Sequence, residues 1–168
     1  VKSKGSKMAP AYVPELGKLI ARKNKEAVPV LIVGDDPADE TLTLSEDRLI
    51  TGDILVMNQG SLVIDGCTIR LNGNVILAHD GRFRVVDATL AFQSTYLYQH
   101  GISGGEDTIV QLDHAVITSN GYNLESGFAD NAQFQITDTE SESVMTTALF
   151  GAASATMVRS NLLEWVLD

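Results

Sequence analysis

From Thr41 onward the chain alternates apolar and polar residues in short runs, and the runs recur. Ser61-Leu-Val-Ile-Asp-Gly-Cys-Thr-Ile69 is followed by Arg82-Phe-Arg-Val-Val-Asp-Ala-Thr-Leu90, the same phrase with different words. The apolar-x-apolar pairs that open each phrase are Leu42/Leu44, Leu62/Ile64, Phe83/Val85, Val110/Leu112, Phe134/Ile136 and Met157/Arg159. They are spaced 20, 21, 27, 24 and 23 residues apart. Two positions further on stands a turn column of Glu46, Gly66, Asp87, His114, Asp138 and Asn161, then a small-residue column of Cys67, Ala88, Ala115 and Thr139. A second strand follows, with Ile69 and Leu71, Leu90 and Phe92, Ile117 and Ser119. A third recurs as Asp53–Met57, Asn74–Ala78, Thr95–Gln99 and Tyr122–Glu125.

Alternation with period two buries one face of each strand and solvates the other. No helical period separates the strands, so crossover helices are excluded. Three strands per repeat of ~22 residues make one coil, and coils stacked at ~4.8 Å pair each strand in parallel with its equivalents. Equivalent side chains then stack inside, which demands small residues where a corner is tight. A β-sandwich predicts hairpin turns and no long period. A leucine-rich repeat predicts a Leu/Asn spacing that is absent. The expected architecture is all-β, a single-stranded right-handed parallel β-helix of about six coils. In this periodicity, rather than in any motif, residues 41–168 resemble the pectin-lyase-like superfamily of pectin lyases, polygalacturonases and phage tailspikes.

Residues 14–24 (PELGKLIARKN) read as a capping helix: Pro14 at a first helical position, Glu15 at the positive end, Lys and Arg at the other, and an apolar stripe of Leu16, Leu19 and Ile20. Val28–Val33 reads as a buried strand completing that cap. The division expected is a basic arm and capping helix over 1–27, with Val1–Lys7 outside the fold, and a β-helix over 28–168. At the far end Arg159 falls where an apolar residue should point inward, so Trp165 and Leu167 are expected to fold over it.

Composition adds charge asymmetry. Residues 1–26 hold seven Lys/Arg and two Glu. Residues 27–168 hold five Arg, no Lys and twenty Asp/Glu, which takes the whole chain to a net charge of −10. An acidic body repels nucleic acid and anionic membranes, and no apolar run approaches the ~20 residues of a membrane span. A Lys-free acidic surface suits an extracellular or cell-surface protein. One cysteine, Cys67, excludes an internal disulfide framework.

Candidate chemistry is sparse. His100-Gly-Ile-Ser103 is similar to a stretch of polygalacturonases. In that family it acts beside an Asn-Thr-Asp and an Asp-Asp pair on neighbouring coils, and the coils beside it here lack that set. A pectate-lyase resemblance implies Ca²⁺ held by Asp residues near an Arg base. Arg70, Arg82 and Arg84, with Asp80 and Asp87, are the residues available, and a solvated ladder of opposite charges is the plainer account. His79 and His100 fall in one column between Asn58 and Ser126, where two imidazoles and Asp80 offer a transition-metal site or, more simply, a polar ladder. Asp35, Asp36, Asp39 and Glu40 crowd one turn and offer oxygen ligands for Ca²⁺, without EF-hand spacing. His114 between Asp87 and Asp138 makes a charge staple. Tyr96 and Tyr98, with Tyr122, suggest an aromatic platform for sugars or a partner protein.

The function expected is therefore non-catalytic: a rigid module for surface display, adhesion or self-assembly, needing no cofactor, with Ca²⁺ as a candidate ion. Its partner is a further copy or a neighbouring surface protein. The alternatives are a polysaccharide-binding or polysaccharide-cleaving β-helix acting through Tyr96, Tyr98, His100, Arg70, Arg82 and Arg84, and a cytoskeletal element resembling the bactofilins.

Overall fold

The computed structural model describes residues 29–161 and 164–167. The expected helix over 14–24 lies outside them. After β1 (Pro29–Val33) come coils of three strands: β2 (Thr41–Leu44), β3 (Arg48–Thr51) and β4 (Asp53–Val56); β5 (Ser61–Asp65), β6 (Thr68–Asn72) and β7 (Val75–Leu77). The third coil is β8 (Arg82–Val86), β9 (Thr89–Phe92) and β10 (Gly101–Gly104), and the fourth β11 (Ile109–Asp113), β12 (Val116–Thr118) and β13 (Leu124–Phe128). β14 (Gln133–Thr137), β15 (Glu140–Ser141) and β16 (Met145–Leu149) precede the final β17 (Ser154–Val158) and β18 (Glu164–Leu167). All pairing is parallel between equivalent strands. The result is a β-solenoid of about six turns, with sheets of seven, six and five strands around one core.

The alternation places the core where the sequence predicts it. On the six-stranded sheet Leu62, Phe83, Val110 and Phe134 stack in register, beside Ile64, Val85, Leu112 and Ile136, and all eight are at most 1% exposed. Ile69, Leu90 and Ile117 form the matching column of the five-stranded sheet. Two pairs of hydroxyls enter the core together. The Ser94 and Ser119 hydroxyls lie 2.7 Å apart, as do those of Ser126 and Thr147, which offsets the cost of burial.

Corners are set by residues in left-handed backbone. Gly66, Asp87, His114, Asp138 and Arg159 have φ between 46° and 64°. Each of the first four donates its N–H to a carbonyl of the next rung, to Val86, Asp113, Thr137 and Val158 respectively, so hydrogen bonding continues around the bend. Immediately inside sit Cys67, Ala88, Ala115 and Thr139, all at most 7% exposed, as the small-residue column requires.

Four expectations fail, each for a physical reason. Thr95–Gln99 is not a strand: residues 95–98 loop outward, and Gly101–Gly104 supplies the rung, with Ile102 paired to Val75. The alternation of Tyr96, Leu97 and Tyr98 imitates a strand, while the true strand has little side chain to announce it. The fourth coil's third strand is likewise Leu124–Phe128 rather than Tyr122–Glu125. The last coil is in register through Ala155 and Met157, not Met157 and Arg159, so Arg159 takes the corner position expected for Asn161 and points to solvent. β1 is not buried throughout: Leu31 and Val33 face the core while Val30 and Ile32 are exposed, and it pairs with β4 as the first rung of the seven-stranded sheet.

The outer face of the seven-stranded sheet differs from the others. Register stacks Ile32, Leu55, Ile76, Ser103, Gly127 and Ala148 in one column, of which Gly127 and Ala148 are buried. Two residues further along, just past the ends of β4, β7, β10, β13 and β16, stand Met57, Ala78, Gly105, Ala129 and Phe150. Neither column contains a charge.

Candidate functional site

Four places gather the residues singled out above. The first is the corner that follows the seven-stranded sheet. His79 and Glu106 occupy equivalent positions on successive rungs, and His79 Nδ1 lies 2.6 Å from Glu106 Oε2. Glu106 N in turn donates to Asp130 Oδ2, and Asn131 Nδ2 to Asp107 Oδ1. The insertion at 93–100 shifts the register so that Glu106, not His100, follows His79 in this column. The expected His79–His100–Asp80 ligand set is thereby taken apart. His100 is 6% exposed and stacks on Phe92 with centroids 6.5 Å apart.

The second is the loop 93–100, exposed at residues 95–98. Tyr96 is 60% exposed, Leu97 55% and Tyr98 39%, so all three reach solvent and no strand sorts them onto opposite faces. The loop is pinned: Gln99 Oε1 accepts from Thr95 N and Oγ1, and Tyr98 N donates to Asn123 O.

The third is the outer face of the six-stranded sheet, where Arg82 and Arg84 project from β8. Arg84 stands 3.7 Å from Asp113 of the next rung. Gln111, Gln135 and Gln133 form a ladder through 2.8 and 3.2 Å bonds. Arg70 is not part of this face, because β6 belongs to the five-stranded sheet. At the adjoining corner His114 places Nδ1 2.9 Å from Asp113 and Nε2 3.6 Å from Asp138, so its carboxylate neighbours are Asp113 and Asp138 rather than Asp87 and Asp138. Arg159 Nε donates to Asp138 Oδ1 at 2.6 Å. This bond, reinforced by the Arg159 and His114 charges, holds the Asp138 carboxyl below its ordinary value.

The fourth is the turn 34–40. Asp35, Asp36 and Asp39 are exposed, and Glu40 Oε2 accepts from Gly34 N, closing the turn on itself. Among the described residues no three His, Cys, Asp or Glu side chains come together as a metal centre. Cys67, buried and hydrogen-bonded through Sγ to Leu44 O, has its thiol pushed up mainly by burial; a thiolate nucleophile does not form readily there.

Sequence reasoning missed a fifth feature, an open groove at the C-terminal end of the stack. Asp138, Thr139, Glu140, Met157, Arg159, Ser160 and Asn161 line it. Its signal was present in the corner column, but the last coil's shifted register concealed it.

No protein-family model, curated protein or solved structure matches this chain.

Proposed function

We propose that the chain is a non-catalytic, rigid β-solenoid module that associates with further copies of itself through the open rung at its C-terminal end. One observation carries this reading. Met157 continues the core column of Ile64, Val85, Leu112 and Ile136, yet it is 39% exposed where they are at most 1%. Covering the part of this side chain that is still exposed contributes on the order of 1 kcal/mol to an interface. Beside it β17 is an edge strand of its sheet, and β2 is the opposite edge of the same sheet. Strand direction is the same at both edges, so a second copy's first rung continues the ladder without reversal. Head-to-tail contact of this kind is heterologous and does not close, which yields a rod or filament. The polar lining around Met157, including the Arg159–Asp138 pair, supplies the rim such an interface needs. A rigid rod of this sort suits display or adhesion at a cell surface.

Light scattering on a size-exclusion column tests the reading. The account expects mass to rise with protein concentration for the wild type and not for Met157→Asp. A wild-type monomer at every concentration contradicts it.

A second reading, polysaccharide binding, draws on the exposed Tyr96 and Tyr98 alone, since His100 is buried and Arg70 lies on another sheet. Retention on a polysaccharide panel that is lost in Tyr96→Ala supports it, and retention unchanged by that substitution removes it.

A further inference from the structure

Turn 119–123 ties down the loop that carries Tyr96 and Tyr98, and it takes no part in the end-to-end contact. Asn120 Nδ2 donates to Ser94 O at 3.2 Å where the loop begins, and Tyr98 N donates to Asn123 O at 2.8 Å near its end. The same turn holds Asn120-Gly121, one of two Asn-Gly pairs in the chain; the other is Asn72-Gly73. Such a pair carries its own chemistry. The glycine backbone nitrogen can attack the asparagine side-chain carbonyl carbon, because no side chain on the glycine blocks the approach. A bond forms from that nitrogen to Cγ, the bond from Cγ to Nδ2 breaks, and Nδ2 leaves as ammonia with the amide proton. Solvent water then opens the cyclic imide at either carbonyl, leaving an aspartyl or an isoaspartyl residue.

We propose that Asn120 is a spontaneous deamidation site and that its conversion releases the 93–100 loop. The two pairs sit in opposite surroundings. Gly73 is buried, a Cβ there would stand 2.1 Å from Gly52 O, and Gly52 N donates to Asn72 O at 2.9 Å. Ring closure at Asn72 therefore has to lift one rung off the next. Gly121 is exposed, with nothing within 4 Å of where its Cβ would be, and among the described residues its N–H donates no hydrogen bond. Asn120 and Gly121 have φ of 51° and 78°, so attack first requires this left-handed turn to open. Opening breaks the Asn120–Ser94 bond and the 2.9 Å bond from Tyr122 N to Ser119 O, and leaves the rungs paired. Local openings of that size occur far more often than separation of rungs. After conversion the side chain is a carboxylate with no proton to donate, set against the Ser94 carbonyl oxygen. An isoaspartyl linkage also adds a methylene to the backbone of the turn. The Ser94 tie is lost, and the acidic chain gains a further negative charge.

Timed peptide mapping by mass spectrometry, on the folded full chain in mildly alkaline buffer, tests this. Asn120 should convert at least ten-fold faster than Asn72. In urea, where both pairs are freed, the two rates should come within about two-fold of each other. Anion exchange separates the converted chain by its extra charge. There the amides of Thr95 and Tyr98, both hydrogen-bonded in the native loop, should exchange with deuterium at least five-fold faster, with β8 and β11 unchanged. Asn120→Asp should reproduce that exchange. Asn120→Gln, whose longer side chain closes the ring far more slowly, should leave the folded chain unconverted at this position. Equal rates at Asn120 and Asn72 in the folded chain, or no conversion at Asn120 while the urea-unfolded chain converts, overturns the deamidation site. Unchanged exchange at Thr95 and Tyr98 in the converted chain overturns the release of the loop.

Discussion

Asp138 and Arg159 occupy the same corner on successive rungs, both in left-handed backbone, with φ of 46° each, and Arg159 Nε donates to Asp138 Oδ1 at 2.6 Å. The pair adds a side-chain tie to the backbone bond that Asp138 N donates to Val158 O. It fastens the last rung to the one beneath and makes the end of the stack sensitive to acid. Arg159 depresses the Asp138 carboxyl, so its contribution is full above the ordinary carboxylate range of about 4 and is lost as pH falls through the depressed value. Arg159→Ala should return the Asp138 carboxyl toward that ordinary range in an NMR titration. The stability difference between wild type and variant should be present at pH 7 and absent near pH 2. A difference that persists at pH 2 contradicts this account.

The stacked core columns predict a steep contrast between neighbours. Leu112 is 1% exposed between Val85 and Ile136, whereas Gln111 beside it faces solvent. Leu112→Ala should cost about 2–5 kcal/mol in chemical denaturation, from lost transfer energy plus a cavity. Gln111→Ala should stay within about 0.5 kcal/mol.

At the tight corner Thr139, like Ser160 on the last rung, carries a hydroxyl where Cys67, Ala88 and Ala115 do not, and both of its capacities are used. Oγ1 accepts from Ala115 N at 3.3 Å and donates to Thr137 O at 2.9 Å. Thr139→Val keeps the shape and strips the bonds, so a loss of about 1–3 kcal/mol is expected. A neutral result shows that other groups satisfy the Ala115 amide.

Two glycines separate the demand for space from the demand for conformation. A Cβ at Gly101 would stand 1.6 Å from the Glu125 carbonyl oxygen on the next rung, so Gly101→Ala must displace backbone. Gly66, with φ of 64°, has nothing within 4 Å of where its Cβ would be, and Asp87 and His114 hold the same conformation above it. Gly101→Ala should lower the melting temperature severely. Gly66→Asn should change it little, because Asn tolerates left-handed backbone.

These contrasts also explain what the sequence made legible. The columns beginning at Leu42 and Leu44 could be read because period-two alternation survives five rungs without interruption. The rung at Gly101–Gly104 could not, since Ile102 is its only large side chain and the preceding Tyr96-Leu-Tyr98 copies the alternation of a strand. That mimicry moves His100 into the His79 column and creates a metal site that the register dissolves. The apolar outer strip is hidden for another reason. Leu55, Met57, Ile76 and Ala78 look like incidental outward residues on separate short strands until pairing aligns them. Lateral alignment between rungs is what a single sequence encodes most weakly, because it depends on how each corner consumes chain.

The central claim is that the repeated rung continues from one molecule into the next, and negative-stain electron microscopy at physiological salt tests it most directly. A single stack of six or seven rungs at ~4.8 Å is ~30 Å long. The account predicts rods longer than this, lengthening with protein concentration and absent in Met157→Asp. Discrete particles of single-stack length at every concentration would contradict it.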